Sequence, residues 1–159
     1  MKRFPLASAV LAAAITVCGG AFAADAMTLA ELEAKYADPS AVVLAVKAPF
    51  PTQGGEVRAA VYKNGGDFLD HAILKQHALM DKNGLAVLSF RGLEPGVYAF
   101  VAYYDENGDG RLNRGGILGK PKEPVGFSNG FKPKLRKPHF DEVKVDVAPG
   151  AVVMLTLDD

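Results

Sequence analysis

The side chains best suited to chemistry sit in Asp105-Glu106-Asn107-Gly108-Asp109-Gly110-Arg111-Leu112-Asn113. Asp105, Asn107 and Asp109 place oxygens at first, third and fifth positions, and Gly110 follows. A hard cation such as calcium takes this pattern from a short loop, with the glycine allowing the sharp turn. Arg111 would add its carbonyl, and Asn113 stands at the ninth place. The twelfth place, where an EF-hand carries a bidentate Glu, is Gly116, and Gly- and Pro-rich sequence replaces the exiting helix. The segment is therefore not an EF-hand. A looser calcium loop would draw its late carboxylate from Glu123. A second reading needs no metal: Asn-Gly and Asp-Gly are common turn dipeptides, and the same side chains can bond local backbone amides.

Other candidates point to chemistry less clearly. Ser128 lies in Gly126-Phe127-Ser128-Asn129, which is not the G-x-S-x-G of a nucleophile elbow. Asp105 and Glu123 could form a carboxylate pair for glycoside hydrolysis. The chain lacks tryptophan, however, and with it the usual aromatic platform of a sugar site. His71, His77 and His139 are the histidines, and their spacing matches no metal pair. Lys132, Lys134, Arg136 and Lys137 make a basic stretch that either meets an anionic surface or is simply solvated.

Length and composition set the frame for these residues. The chain has 159 residues, 49% of them hydrophobic, enough for one domain with a real core. Lys2 and Arg3 precede an apolar run from Phe4 to Gly20, and Ala21-Phe22-Ala23 supplies small residues before Ala24. This is the form of a secretory signal, read as residues 1–23, cleaved near Ala23-Ala24 and directed to the bacterial periplasm or beyond. The run is too short to favour a membrane anchor, so no transmembrane span is expected in the mature chain. The sole cysteine, Cys18, lies inside it, so the mature chain folds without disulfides. Basic and acidic side chains balance, which gives no reason to expect a nucleic-acid partner.

The elements that must position the loop follow from periodicity. Thr28-Leu29-Ala30-Glu31 fits a capping box, predicting a short helix that packs on the domain or only tethers it, within a 24–40 segment. Strands are expected at Ala41–Lys47, Glu56–Tyr62, Leu85–Phe90, Val97–Tyr104, Phe140–Val147 and Ala151–Leu157. Phe68–Met80 shows no clean period and reads as a loop with one helical turn. The connection from Asp105 to Pro138 shows no strand pattern. Short strands and tight turns without a βαβ rhythm predict an all-β, antiparallel β-sandwich of about six to seven strands over 41–159.

Gly92-Leu93-Glu94-Pro95-Gly96-Val97-Tyr98 resembles the G-L-x-P-G-x-Y hairpin of transthyretin-like and carboxypeptidase-regulatory-like sandwiches. Tyr98-Ala99, the Asp105–Asn113 run, Leu118-Gly119-Lys120-Pro121-Lys122-Glu123-Pro124 and Gly126-Phe127-Ser128-Asn129 resemble, in order and spacing, the secreted bacterial family known as domain of unknown function 2141. The resemblance spans most of Val42 to Leu157 and implies a small exported sandwich, with no reaction attached. Tyr104 stands where that family often has His, Asn113 where Asp is usual, and Val125 where an aromatic is common. The Asn113 change removes one charge from any cation site.

The sequence thus leads to an exported, non-catalytic binding or interaction module. Its polar end loop is ordered internally or by calcium at Asp105, Asn107, Asp109, Asn113 and Glu123. Gly126, Phe127, Ser128 and Asn129 form a partner-facing turn, and the partner is an envelope protein or a small ligand. The alternatives are a hydrolase using Asp105 and Glu123, and a structural accessory domain of the cell envelope.

Overall fold

The computed structural model describes residues 27–52, 54–115, 120–132 and 136–158. The proposed signal segment and Lys134 lie outside these. The first strand, β1 (Ala41–Lys47), is buried at six successive positions because both of its faces are covered. Val42, Leu44 and Val46 point into the main core, while Val43 and Ala45 point the other way, beneath the N-terminal helix α1 (Leu29–Tyr36). That double burial explains the continuous apolar run of β1.

The remaining strands are β2 (Glu56–Tyr62), β3 (Leu74–Leu79), β4 (Leu85–Arg91), β5 (Gly96–Asp105), β6 (Arg114–Gly115), β7 (Lys120–Pro121), β8 (Val125–Phe127), β9 (Lys144–Val147) and β10 (Val152–Thr156). One sheet has the order β10-β1-β4 and the other β3-β2-β5-β8. β9 pairs with the first half of β5 and β8 with the second. Between the sheets lie Phe90, Phe100, Leu44, Leu155, Val57 and Val61, all essentially inaccessible. The fold is a β-sandwich, as expected.

Four local expectations need correction. First, β10 runs parallel to β1, so the sandwich is not wholly antiparallel. β9 belongs to one sheet and β10 to the other, so the Pro149-Gly150 turn is an arch between sheets. Gly150 N–H to Ala41 O (2.8 Å) and Val43 N–H to Ala151 O (2.9 Å) fix its landing. Second, Phe68–Met80 contains β3, an edge strand exposed on both faces along much of its length, which erases the alternating apolar signal. Third, Phe140–Val143 is a helical turn, α2, and only Lys144–Val147 is strand. Glu142 accepts from His139 N–H at 2.8 Å, a local cap that competes with extension. Fourth, β6, β7 and β8 lie within the connection read as strandless, each only two or three residues long and too short to show a period.

The helix docks and does not merely tether. Thr28 N–H donates to Glu31 Oε2 (2.6 Å) and Glu31 N–H to Thr28 Oγ1 (3.3 Å), closing the predicted capping box. Leu32, 1% exposed, packs with Val43, Ala45 and Val152. Among the described residues no helix is long and apolar enough to cross a membrane. Leu32→Ala should cost about 2–4 kcal/mol in urea unfolding, the usual range for an emptied core leucine. A loss below ~0.5 kcal/mol would show that α1 contributes no packing.

Candidate functional site

Asp105 ends β5 with a side chain that solvent does not reach. Its Oδ1 accepts from Gly108 N–H (2.9 Å), and its Oδ2 accepts from Gly110 N–H (2.8 Å) and Arg58 Nε (2.9 Å). Sheet register makes the last bond possible. Glu56 pairs with Asp105 and Arg58 with Tyr103, and the alternation of β2 puts Glu56 and Arg58 on one face. Arg58 Nη2 also reaches Glu56 Oε2 at 2.7 Å, and Glu56 Oε1 meets His77 Nδ1 on β3. The result is a row of polar side chains running across three strands from His77 through Glu56 and Arg58 to Asp105. Partial burial works against the Arg58 charge, but the bond to Asp105 and the Glu56 charge outweigh it and raise its pKa.

The loop closes above this row. Gly108 and Gly110 have φ of +70° and +76°, which only glycine adopts freely, and Gly110 lies against the Arg58 guanidinium. Asn107 Oδ1 accepts from Asp109 N–H (3.1 Å), and Asp109 Oδ1 from Arg111 N–H (2.8 Å). Asp109 Oδ2 accepts from both Asn113 Nδ2 (2.9 Å) and Asn107 Nδ2 (3.1 Å). The Asn113 amide, then the Arg111 amide, hold the Asp109 carboxyl below its usual range. Glu123, 6% exposed, accepts from Asn113 N–H at Oε2 (2.9 Å), while its Oε1 is buried with no hydrogen-bond partner among the described residues. Burial pushes the Tyr103 phenol up. Arg58 opposes that shift, and the charges of Asp105, Glu123 and Asp109 add to it.

Hydrogen bonds thus link Asn107, Asp109, Asn113 and Glu123 in one chain, and Asp105 is joined to the same loop through the Gly108 and Gly110 amides. The structure places Gly126, Phe127 and Ser128 inside the fold, a correction to the partner-facing reading. Ser128 Oγ accepts from Phe100 N–H (2.9 Å) and donates to Val143 O, tying β5 to α2. A Cβ at Gly126 would lie 2.2 Å from Leu155 Cδ2 and 2.5 Å from Thr156 O, so β8 and β10 approach too closely for any side chain there. Of the four, only Asn129 is exposed, at φ +59°, and its amide donates to Glu142 O (3.2 Å).

A sequence profile for the family described as an uncharacterized protein conserved in bacteria (DUF2141) matches residues 48–154. The chain belongs to this family. The match begins just after β1 and runs into β10, taking in the whole polar loop. No curated protein sequence matches the chain. Among solved structures, a protein of Bacteroides thetaiotaomicron VPI-5482 grouped with candidate polysaccharide-binding proteins (DUF1812) is similar at 18% identity and a TM-score of 0.36. The alignment covers 73% of this chain and 46% of that one, and a likeness at this level carries no functional inference.

The remaining candidates are dispersed. Arg136 holds Glu142 through two bonds of 2.7 and 2.6 Å, and with the His139 amide it pulls the Glu142 carboxyl down to about 2. This guanidinium is exposed but paired, and among the described residues of the basic stretch Lys132 and Lys137 are exposed as well. His71 lies beside Asp67 and His77 beside Glu56, so these two sit with different partners. Arg58, Glu56 and Tyr103 are site residues that the sequence reading missed. The signal was there in Arg58, a charge within the alternating apolar strand Glu56–Tyr62. Arg58→Gln leaves the Asp105 charge buried with two amides. The expected loss is about 2–3 kcal/mol in urea unfolding, less than the roughly 3–5 of a fully buried pair because a third of the Arg58 side chain is exposed. A loss under ~0.5 kcal/mol would remove Arg58 from this role.

Proposed function

We propose that this DUF2141 protein is an exported, non-catalytic binding module whose contact surface is the outer side of the Asp105–Asn113 loop. One observation carries the reading: the loop is locked from within by Asp105 while Glu106, Asn107, Gly108, Asp109 and Arg111 stand exposed. A loop fixed in this way on a rigid sheet presents polar groups with little ordering cost on binding. Export is supported by Lys2, Arg3, the apolar run and Ala21-Phe22-Ala23. An envelope protein or a small polar ligand is the partner class that suits such a surface.

The hydrolase alternative loses support from the same geometry. Glycosidic carboxylates must flank a bond that reaches them from solvent. Asp105 and Glu123 are both buried, and Asp105 is paired with Arg58. A structural accessory role has one favourable observation, the edge strand β3, where Leu79 is 73% exposed and a second chain could add a strand.

Photo-crosslinkers placed singly at Asn107, at Glu94 in the turn that precedes the opposite end of β5, and at Lys75 on β3 separate these readings in intact bacteria. A discrete adduct from position 107, absent from 94 and 75, is expected. An adduct from 75 alone would favour strand addition. Turnover of an ester, glycoside or phosphate by the purified protein, lost in Glu123→Gln, would overturn the non-catalytic reading.

A further inference from the structure

We infer that the Asp105–Asn113 loop and Glu123 together form a site for a calcium-class cation, held by the carboxylates of Asp109 and Glu123 and the side-chain oxygens of Asn107 and Asn113. The observation behind this is the Glu123 carboxylate. It is 6% exposed, comes from a separate segment, and is turned into the loop, where Oε2 takes the Asn113 amide. Its Oε1 is buried and has no hydrogen-bond partner among the described residues. A buried carboxylate satisfied by one amide is costly, and cost of that kind is relieved by a cation. Asn113 links the two carboxylates, its backbone N–H donating to Glu123 Oε2 (2.9 Å) and its side-chain amide to Asp109 Oδ2 (2.9 Å), so Glu123 and Asp109 flank one residue of the loop.

Ligand chemistry selects the class. Among the described residues no three of His, Cys, Asp and Glu come together in a metal-holding group. A site here must therefore draw on amide and carbonyl oxygens beside its two carboxylates. Calcium accepts six to eight such oxygens in flexible geometry, whereas zinc favours nitrogen and sulfur ligands and magnesium demands a near-ideal octahedron. Asp105 takes a bracing role, with Oδ2 filled by Arg58 and Gly110. Asn113 is the movable part. Its Nδ2 now donates to Asp109 Oδ2, and a half-turn of the amide replaces that donor with Oδ1. Two oxygens would then face one another, an arrangement a cation between them stabilises. The loop closes through the Asn113 amide without metal and through the cation with it. Two carboxylates place the affinity with extracellular calcium modules, roughly 10⁻⁴ to 10⁻³ M.

Terbium binding to the purified full chain tests this. The chain has no tryptophan, so sensitised emission must come through tyrosine, and Tyr103 lies beside the loop. Saturable emission is expected, displaced by calcium at about 10⁻⁴ to 10⁻³ M and weakened about tenfold in Asp109→Asn and Glu123→Gln. Should either variant fail to fold, calcium titration of the wild-type protein decides: the Asn113 side-chain amide resonances must move with saturation. Absence of saturable emission, emission unchanged in both folded variants, or unmoved Asn113 resonances would each overturn the site. The binding-module reading would survive that failure, since crosslinking at Asn107 tests it without metal.

Discussion

The polar end of this protein depends on one buried charge. Asp105 arrives at the end of β5 with no access to solvent, and a carboxylate there is tolerable only if its oxygens are filled. Arg58 supplies the countercharge from the neighbouring strand, and Gly108 and Gly110 supply amides from the loop. The loop therefore folds back over Asp105 because its backbone amides are the remaining donors within reach. The two glycines take up positive φ for the same reason. Charge pairing across the sheet and loop shape are a single arrangement, anchored on the register that sets Glu56 opposite Asp105.

A second arrangement keeps that end in place. The outer face of the β5 sheet is covered by Tyr62, Phe68, Phe127, Phe131 and Phe140, packed edge to face with centroids 5.3 to 6.0 Å apart. Ser128 links this layer to the strand beneath through Phe100 N–H and Val143 O. Gly126 lets β8 lie against β10, and Pro124 O takes the Tyr104 amide at 3.0 Å. Glu123 thus lies two residues before a strand whose position is set on both sides. A buried oxygen without a hydrogen-bond partner among the described residues, held by so fixed a backbone, is the reason a cation is inferred.

What was legible in the sequence tracks how local the cause is. β1 and β2 were readable to the residue because their burial patterns, continuous and alternating, are written along the strand. The capping box of α1 was readable because Thr28 and Glu31 satisfy each other. β3 was not, since an edge strand with Lys75, Gln76 and His77 exposed carries no apolar period. The direction of β10 was not, because Pro149-Gly150 reads the same in a hairpin and in an arch between sheets. At the site, the Asp105–Asn113 pattern and Glu123 were visible from residue types and spacing. Arg58 was not assigned, because its partner lies 47 residues away and only register brings the two together. Gly126-Phe127-Ser128-Asn129 stood out as a motif, but sequence could not show that it faces inward.

The proposed binding surface and the inferred cation site both rest on the loop being held by Asp105, so the most direct test is of that hold. Amide hydrogen exchange at Gly108 and Gly110 reports it, because both donate to a carboxylate shielded from solvent. Protection of both amides comparable to those of β5, and its loss in Arg58→Gln, is the predicted result. Exchange at the rate of an exposed loop in the wild-type protein would contradict the account, since the loop would then be organised by something other than Asp105.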